Sequence, residues 1–321
     1  MEQEEIQHSH LHINGLGLHV AQLGKAEKGT VVFLHGFPEI WYSWRHQMVA
    51  VAGAGYRAVA PDCRGYGLSD QPPEPENANW HDLVADLVGI LDVLSVTKAF
   101  VVAKDFGAMV AYHMAVLHPE RVSGLVTMGI PYFNDPAPIE LLPPGFYIVR
   151  WQQPGRAEAD FSRFDIKTAV RNIYILFCRS ELQVAAEDQE IMDLVDPSTP
   201  LPSWFSEDDL AAYAALYEKS GFRFPMQIPY MKSKEAFDVT SSITNPKVEV
   251  PTLLIMGEKD YFLKFPFMED YIRSGKVMEY VPDLETIFLS EGCHFVQEQL
   301  PEQVNQILIT FLSKVPSCAS N

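Results

Sequence analysis

The chain has 321 residues, of which 47 % are hydrophobic and 21 % are charged, a composition typical of a compact soluble enzyme with a large core. Its 24 basic and 42 acidic side chains give a formal net charge of −18 at pH 7. Such an acidic surface repels phosphate backbones and anionic lipid headgroups, so we expect neither nucleic-acid nor membrane partners. The length allows one large α/β domain or a core domain that carries an insertion.

The termini and the cysteines give no sign of export. The first residues, Met1-Glu-Gln-Glu-Glu, lack the basic start and apolar run of a signal peptide. No apolar stretch is long enough to span a bilayer, and the last residues match no peroxisomal or ER-retention signal. We therefore expect a cytoplasmic protein with isolated free thiols. The four cysteines are Cys63, Cys178, Cys293 and Cys318.

The first third of the chain alternates predicted strands and helices. A hairpin is predicted around Asn14-Gly15, followed by strands at 31–34 and 56–60 and a helix at 81–94. The histidines in and beside the hairpin are His8, His10, His12 and His19. Strand alternation accounts for most of them and no acidic or Cys residue lies between them, so we expect no metal site.

Further along, a strand runs to residue 104, a helix covers 109–117 and a strand covers 122–126. The alternation stops after Pro131, and the aromatic-rich segment that follows shows only helical patches, such as 206–219. Strands are predicted again at 251–256 and 276–281, before a closing helix at 301–312. We predict an α/β fold: a mostly parallel sheet flanked by helices, with its core in 1–132 and 247–321 and a helical cap in 133–246.

The most informative stretch is Val101-Val-Ala-Lys-Asp-Phe-Gly-Ala108, where a strand runs directly into a helix. Small residues, Ala103 and Gly107, lie two positions on either side of Asp105. This pattern is typical of the nucleophile elbow of α/β hydrolases, a tight turn that exposes one side chain above the sheet. The usual occupant is Ser, and here it is Asp.

Three further motifs lie where this fold needs them. Asp260 follows a predicted strand and His294 lies in a loop before the last helix, which completes the chain order nucleophile, acid, histidine. The turn His35-Gly-Phe-Pro can supply the Phe37 amide to an oxyanion hole, with the Phe106 amide as the second donor. Taken singly, the Asp is also a plausible helix N-cap, the His a structural residue and the turn only a turn.

A carboxylate nucleophile restricts the substrate. Its reference pKa is about 3.9, so it needs no base to attack. Attack on an sp³ carbon gives an ester that water can hydrolyse, whereas a serine would give a stable ether. Epoxides and haloalkanes are the corresponding substrates. Opening an epoxide also requires a proton donor, for which a tyrosine in an apolar pocket is suited.

These residues, with Arg64-Gly-Tyr-Gly-Leu-Ser-Asp70 and Tyr147-Ile-Val-Arg-Trp-Gln-Gln-Pro-Gly155, make the chain resemble soluble epoxide hydrolases of the plant type from about residue 10 to residue 312. The resemblance implies a cofactor-independent enzyme in which the lid tyrosine Tyr147 donates a proton. Tyr230 is the candidate for the second lid tyrosine, although its segment departs from the family pattern and core packing also explains it. We expect the substrate pocket to include His35, Pro38, Trp151, Gln152 and Phe295.

The elbow itself departs from the family, which usually has Gly-His-Asp-Trp-Gly there. Phe106 lacks the indole N–H that helps to bind halide in similar dehalogenases. Lys104 replaces the histidine, and we expect it to pair with Glu39 behind the nucleophile.

The sequence thus predicts an epoxide hydrolase that converts lipophilic epoxides to vicinal diols through an ester on Asp105, with water activated by His294 and Asp260. Haloalkane or haloacid dehalogenation is the alternative reaction. A hydrolase-fold ligand receptor, or an enzyme recruited to a non-hydrolytic reaction, is the alternative of another class. The expected partner is a small lipophilic epoxide, with no metal and no cofactor, bound by a monomer or homodimer.

Overall fold

A single eight-stranded sheet forms the centre of the computed structural model, which describes residues 5–134 and 141–316. The strand order is β1-β2-β4-β3-β5-β6-β7-β8; β1, β2 and β4 pair antiparallel, and the remaining pairs are parallel. This confirms the predicted α/β-hydrolase fold. The strands are β1 (Gln7–Ile13), β2 (Leu16–Leu23), β3 (Thr30–Leu34), β4 (Arg57–Pro61), β5 (Ala99–Lys104), β6 (Val122–Met128), β7 (Thr252–Gly257) and β8 (Leu284–Leu289).

Helices cover both faces of this sheet, because each central strand is apolar on both sides. In β5, Val101 and Ala103 contribute to the core on one face, and Phe100 and Val102 to the core on the other. The helices outside the insertion are α1 (Arg45–Gly53), α2 (Trp80–Val93), α3 (Phe106–Leu117), α9 (Met268–Arg273), α10 (Val296–Gln299) and α11 (Pro301–Lys314). Helices α1 and α11 pack on the second face, and α2 and α3 on the first.

The chain between β6 and β7 forms short helices, as the loss of strand alternation predicts. They are α4 (Tyr147–Trp151), α5 (Arg156–Phe161), α6 (Ile166–Phe177), α7 (Glu207–Ser220) and α8 (Arg223–Met226). Helix α7 begins at the predicted N-cap, where the Ser206 hydroxyl accepts the Asp209 amide and the Asp209 carboxylate accepts the Ser206 amide. We propose that this insertion is the cap domain with the boundaries given above.

One predicted strand is misplaced. Residues 276–281 do not enter the sheet: Lys276–Glu279 form a 3₁₀ turn that follows the left-handed Gly275 (φ 77°), and the strand that pairs with β7 is Leu284–Leu289. The side chains of β8 are less deeply buried than those of the central strands. At an edge strand the apolar signal is weak, and pairing with β7 decides the register.

Parallel strands bring their carboxyl ends to one edge of the sheet. The loops after β3, β5, β7 and β8 all leave this edge. The loop after β3 contains Phe37, and the loops after β5, β7 and β8 contain Asp105, Asp260 and His294, respectively. The insertion covers the same edge. This is the region where α/β sheets bind ligands.

Candidate active site

Asp105 lies on a tight turn between β5 and α3. Its φ of 51° places a non-glycine residue in a region that L-amino acids rarely adopt. A Cβ on Gly107 would lie 2.5 Å from the carbonyl oxygen of His35, and a Cβ on Gly36 would lie 2.5 Å from the Cβ of Asp105. The backbone approaches so closely here that these two positions require glycine. The turn at Asp105 therefore has the tight backbone geometry of the predicted elbow.

The three polar side chains of the predicted triad meet. His294 Nε2 lies 3.6 Å from Asp105 Oδ1, and His294 Nδ1 lies 3.0 Å from both carboxylate oxygens of Asp260. All three are buried. Asp260 also accepts the Phe262 amide at 2.9 Å as the N-cap of the short helix that follows β7. The capping interaction holds the carboxylate where it can orient His294.

The other carboxylate oxygen of Asp105 faces the predicted oxyanion hole. Asp105 Oδ2 accepts the Phe37 amide at 3.0 Å. The Phe106 amide belongs to the first turn of α3, where backbone N–H groups have no intrahelical acceptor. The two carboxylate oxygens of Asp105 are thus in different environments: Oδ2 is held by the backbone, and Oδ1 faces His294.

Electrostatics favour a charged resting pair. Burial alone lowers the pKa of His294. The Asp260 carboxylate and the contact of His294 with Asp105 outweigh burial and raise this pKa to about 9. Burial raises the pKa of Asp105, yet His294, Lys104 and the Phe37 amide outweigh burial and hold that pKa below its ordinary value. At neutral pH the resting site therefore holds an imidazolium beside a carboxylate.

Tyrosine hydroxyls reach the site from the cap and from the core. The Tyr147 hydroxyl lies 2.9 Å from the Tyr261 hydroxyl, and both residues line the same cavity as Asp105. Tyr230 is also buried, and its ring lies 5.9 Å from that of Tyr147. Burial, followed by Tyr147 and Asp105, raises the pKa of Tyr230 well above its ordinary value. Burial likewise raises the pKa values of Tyr147 and Tyr261 well above their ordinary value, so all three phenols keep their protons at neutral pH.

Tyr261 was not among the residues predicted for the site. The available signal was its position, because Tyr261 directly follows Asp260 in the sequence. Its ring lies 5.1 Å from that of His294. Its hydroxyl is the hydrogen-bond partner of Tyr147, a role that spacing along the chain does not reveal.

The cavity above Asp105 encloses about 780 Å³, including the space at its mouth. Its polar groups are few and include Asp105, His294, Tyr147 and Tyr261. Its apolar lining includes Trp80, Met109, Ile130, Phe133, Leu142, Ile148, Phe237, Phe262 and Phe265.

Five further residues were predicted for the substrate pocket, and their role in substrate binding stays a prediction. They are not among the residues that line this cavity: His35, Pro38, Trp151, Gln152 and Phe295. His35 instead accepts the Cys63 amide through Nε2 at 3.0 Å and supports the loop after β4. Pro38 is buried in the same turn as His35. The Gln152 amide lies 3.3 Å from the Ser233 hydroxyl within the cap.

The two remaining aromatic residues support the site from behind. Trp151 packs edge-on against Tyr230, with ring centroids 5.1 Å apart. Phe295 stacks on Tyr174 of α6 at 4.5 Å. A residue beside a catalytic motif in sequence can point away from the cavity, because the docking of the cap determines which side chains face it.

Lys104 does not form the predicted ion pair with Glu39. Both residues are fully buried, but the Glu39 carboxylate accepts a hydrogen bond from Gln297 instead. Within the described part of the chain, Lys104 Nζ has no hydrogen-bond partner, and it lies 5.8 Å from the centroid of the Phe295 ring. Burial raises the pKa of Glu39 to about 7, although Lys104 opposes this effect. The two groups therefore interact through space without contact.

Two of the four cysteines are not isolated, contrary to expectation. Cys178 Sγ lies 3.1 Å from Cys293 Sγ. Cys63, Cys178 and Cys293 are all free thiols, as expected, and Cys318 lies outside the described residues.

In residues 5–134 and 141–316 no helix is both long and apolar enough to cross a membrane. The same residues hold no cluster of three or more His, Cys, Asp or Glu side chains suited to a metal ion. The histidines of the hairpin have other partners: His19 contacts His8 and Asp62, each at 2.9 Å.

Comparisons with known proteins agree with this geometry. Residues 29–301 match the family model described as alpha/beta hydrolase fold. Epoxide hydrolase 1 of Siraitia grosvenorii is 35 % identical over 319 residues, with 97 % of this chain and 99 % of that protein covered. Epoxide hydrolase 2 of the same plant is 34 % identical with the same coverage.

Solved structures give the same result. A mutant of the Vigna radiata epoxide hydrolase superposes with a TM-score of 0.90 at 35 % identity, covering 97 % of this chain and 99 % of that one. A potato epoxide hydrolase superposes with a TM-score of 0.87 at 33 % identity, covering 97 % and 100 %. With the elbow, the acid and the histidine in place, and with relatives similar along nearly their full length, the chain belongs to the plant-type epoxide hydrolase family of α/β-hydrolase-fold enzymes.

Proposed function

We propose that this protein hydrolyses lipophilic epoxides to vicinal diols through a covalent ester on Asp105. The observation that carries the proposal is the placement of a carboxylate nucleophile and a phenolic proton donor in one apolar cavity. Asp105 Oδ2 is held by the Phe37 amide, and Tyr147 lines the wall of the same cavity. The epoxide hydrolase names of the relatives support the same reaction.

In the first step Asp105 Oδ1 attacks one epoxide carbon. The C–O bond of the ring breaks, and its electron pair moves to the epoxide oxygen, which takes the proton of the Tyr147 hydroxyl. Tyr230 assists from the second lid position. The Tyr261 hydroxyl stabilises the developing Tyr147 phenolate, because a hydrogen bond to the charged form favours that form. The product is a hydroxyalkyl ester of Asp105.

In the second step His294 takes a proton from water, and the resulting hydroxide attacks the ester carbonyl carbon of Asp105. Formation of the ester has removed the negative charge of Asp105, which helped to keep His294 protonated, so the imidazolium gives up its proton. Through solvent this proton restores the Tyr147 hydroxyl, and the neutral imidazole can now act as a base. The Phe37 and Phe106 amides hold the oxyanion of the tetrahedral intermediate. Collapse of the intermediate releases the diol and restores the carboxylate.

The cavity supports an epoxide over a haloalkane. A departing halide needs N–H donors and no proton, whereas a departing alkoxide needs an acid. The elbow offers Phe106 where an indole would donate, and the Trp80 indole already donates to the Lys232 carbonyl at 2.9 Å. The phenols of Tyr147 and Tyr261, which line the same cavity as Asp105, can supply that proton.

The direct test is to trap the ester. The variant His294→Gln, exposed briefly to styrene oxide, is expected to gain the mass of one substrate molecule, and peptide mapping should place this mass on Asp105. The double variant Asp105→Asn/His294→Gln is the matched control and should gain nothing. The wild-type protein should form diol from styrene oxide and release no bromide from a bromoalkane. An unmodified His294→Gln protein and bromide release by the wild type would each contradict the proposal.

A further inference from the structure

The cap and the core meet at a pair of thiols beside the active site. Cys178 directly follows α6 in the cap, and Cys293 directly precedes His294 in the core. Their sulfur atoms are 3.1 Å apart, within hydrogen-bonding distance for sulfur. Cys293 is buried, whereas Cys178 is partly exposed. Cys178 is therefore the more accessible of the two residues, and the Cys293 sulfur lies where it can complete a bond.

The two thiols differ in reactivity. The hydrogen bond with Cys293 lowers the pKa of Cys178, against a smaller opposing effect of burial, which makes Cys178 the better thiolate. The same contact and burial raise the pKa of Cys293. Cys63 has no such partner, and burial raises its pKa to about 12, so it is inert by comparison.

We propose that Cys178 and Cys293 are an oxidisable pair, which hydrogen peroxide converts to a disulfide that ties the cap to the core and reversibly slows the enzyme. The Cys178 thiolate attacks one peroxide oxygen, displaces hydroxide and becomes a sulfenic acid. The Cys293 sulfur then displaces the sulfenic hydroxyl as water. In total, two thiols and one hydrogen peroxide give one disulfide and two waters, and the two sulfur atoms supply two electrons to the peroxide.

The bond must affect the catalytic histidine. A disulfide requires the sulfur atoms about 2.05 Å apart, so they must approach each other by about 1 Å from their present 3.1 Å. Cys293 is covalently joined to His294, and Phe177, next to Cys178, faces the His294 ring at 6.4 Å. A displacement of about 1 Å in a catalytic group costs up to about 100-fold in rate. We expect at least about a tenfold loss of turnover.

The test uses the full-length, pre-reduced protein and hydrogen peroxide near stoichiometry. Wild type should lose two hydrogen atoms (about 2 Da), and digestion without reduction should yield a peptide that links Cys178 to Cys293. Turnover of styrene oxide should fall at least about tenfold and return with dithiothreitol. Cys178→Ser should keep its activity in peroxide. Cys318→Ser, which removes a thiol outside the pair, should behave as wild type.

Several results would overturn the proposal: oxidation of single cysteines without the link, a link that uses Cys318 or Cys63, a link without any change in turnover, or an equal loss of activity in Cys178→Ser. The effect on turnover depends on the proposed epoxide hydrolysis, but the mapping of the disulfide does not. An untreated protein without epoxide activity would therefore refute the proposed function, while the linked peptide would still show whether the pair is oxidised.

Discussion

Replacing Asp105 by Asn should lower the pKa of His294. The reason is that Asp105 contributes to the high value of about 9, together with Asp260. Asparagine keeps the size of the side chain and removes its charge. The same charge disappears when the proposed ester forms, so the variant reproduces the electrostatics in which His294 must act as a base.

The distance between the charges sets the magnitude. His294 Nε2 and Asp105 Oδ1 are 3.6 Å apart. At an effective dielectric constant of about 20, two unit charges at this distance interact by about 5 kcal/mol. One pKa unit corresponds to about 1.36 kcal/mol, so about 3 units is the upper limit. We expect a decrease of about 1 to 3 units, to a pKa between about 6 and 8.

Carbon-13 NMR of protein labelled in its histidine rings can measure this shift. The ring carbon signals are followed between about pH 5 and pH 10, and His294→Gln identifies the signal of interest. His113, whose pKa burial lowers to about 4, serves as an internal control and should not change. A His294 pKa that moves by less than about 0.5 units would show that Asp105 does not hold the imidazole in its charged form, and the proposed switch from acid to base would fail.

Four further outcomes are expected. Tyr147→Phe should slow single-turnover ester formation by about 100-fold, because it removes the proton donor; an unchanged rate would assign proton transfer elsewhere. Tyr261→Phe should slow the same step by about tenfold, and an equal rate would show that its hydrogen bond does not stabilise the phenolate. Lys104→Met removes a buried positive charge that lowers the pKa of Asp105, so the acidic limb of the pH–rate profile should move to higher pH; a stationary limb would contradict this coupling. Protonated His294 stabilises the folded protein, because its folded pKa of about 9 lies above the ordinary histidine value of about 6.5. This stabilisation is complete below about pH 6.5 and is lost as pH rises through about 9, so urea denaturation should show the free energy of unfolding falling by at most about 3 kcal/mol over this interval. A flat profile would contradict the ion pairing.

Local sequence patterns predicted the elements that depend on local chemistry. The hairpin at Asn14-Gly15 pairs Ile13 with Leu16, as a two-residue turn requires. The closing helix α11 begins at Pro301, where a missing N–H costs nothing. The elbow at Asp105 was readable because only small residues fit beside it. Each of these features follows from steric rules within a few residues.

Features that depend on packing between distant parts of the chain could not be predicted from local sequence patterns. The strand at 276–281 was misplaced because pairing with β7, rather than its own residues, selects 284–289. The surroundings of Glu39 are an example: one of its carboxylate oxygens accepts from Gln297, nearly 200 residues along the chain from Lys104, and among the described residues the other has no hydrogen-bond partner. The contact between Cys178 and Cys293 joins two parts of the chain that no motif connects.

The sequence by itself therefore determined the fold and the presence of a carboxylate at the elbow, because an Asp between a strand and a helix, flanked by small residues, has few other interpretations. Only the tertiary structure decided which side chains face the substrate. The docking of the cap on the sheet edge moved Trp151 and Phe295 behind the cavity and brought Tyr147 to Tyr261. Cavity walls are formed by residues far apart in the chain, and their contacts depend on packing that no local pattern encodes.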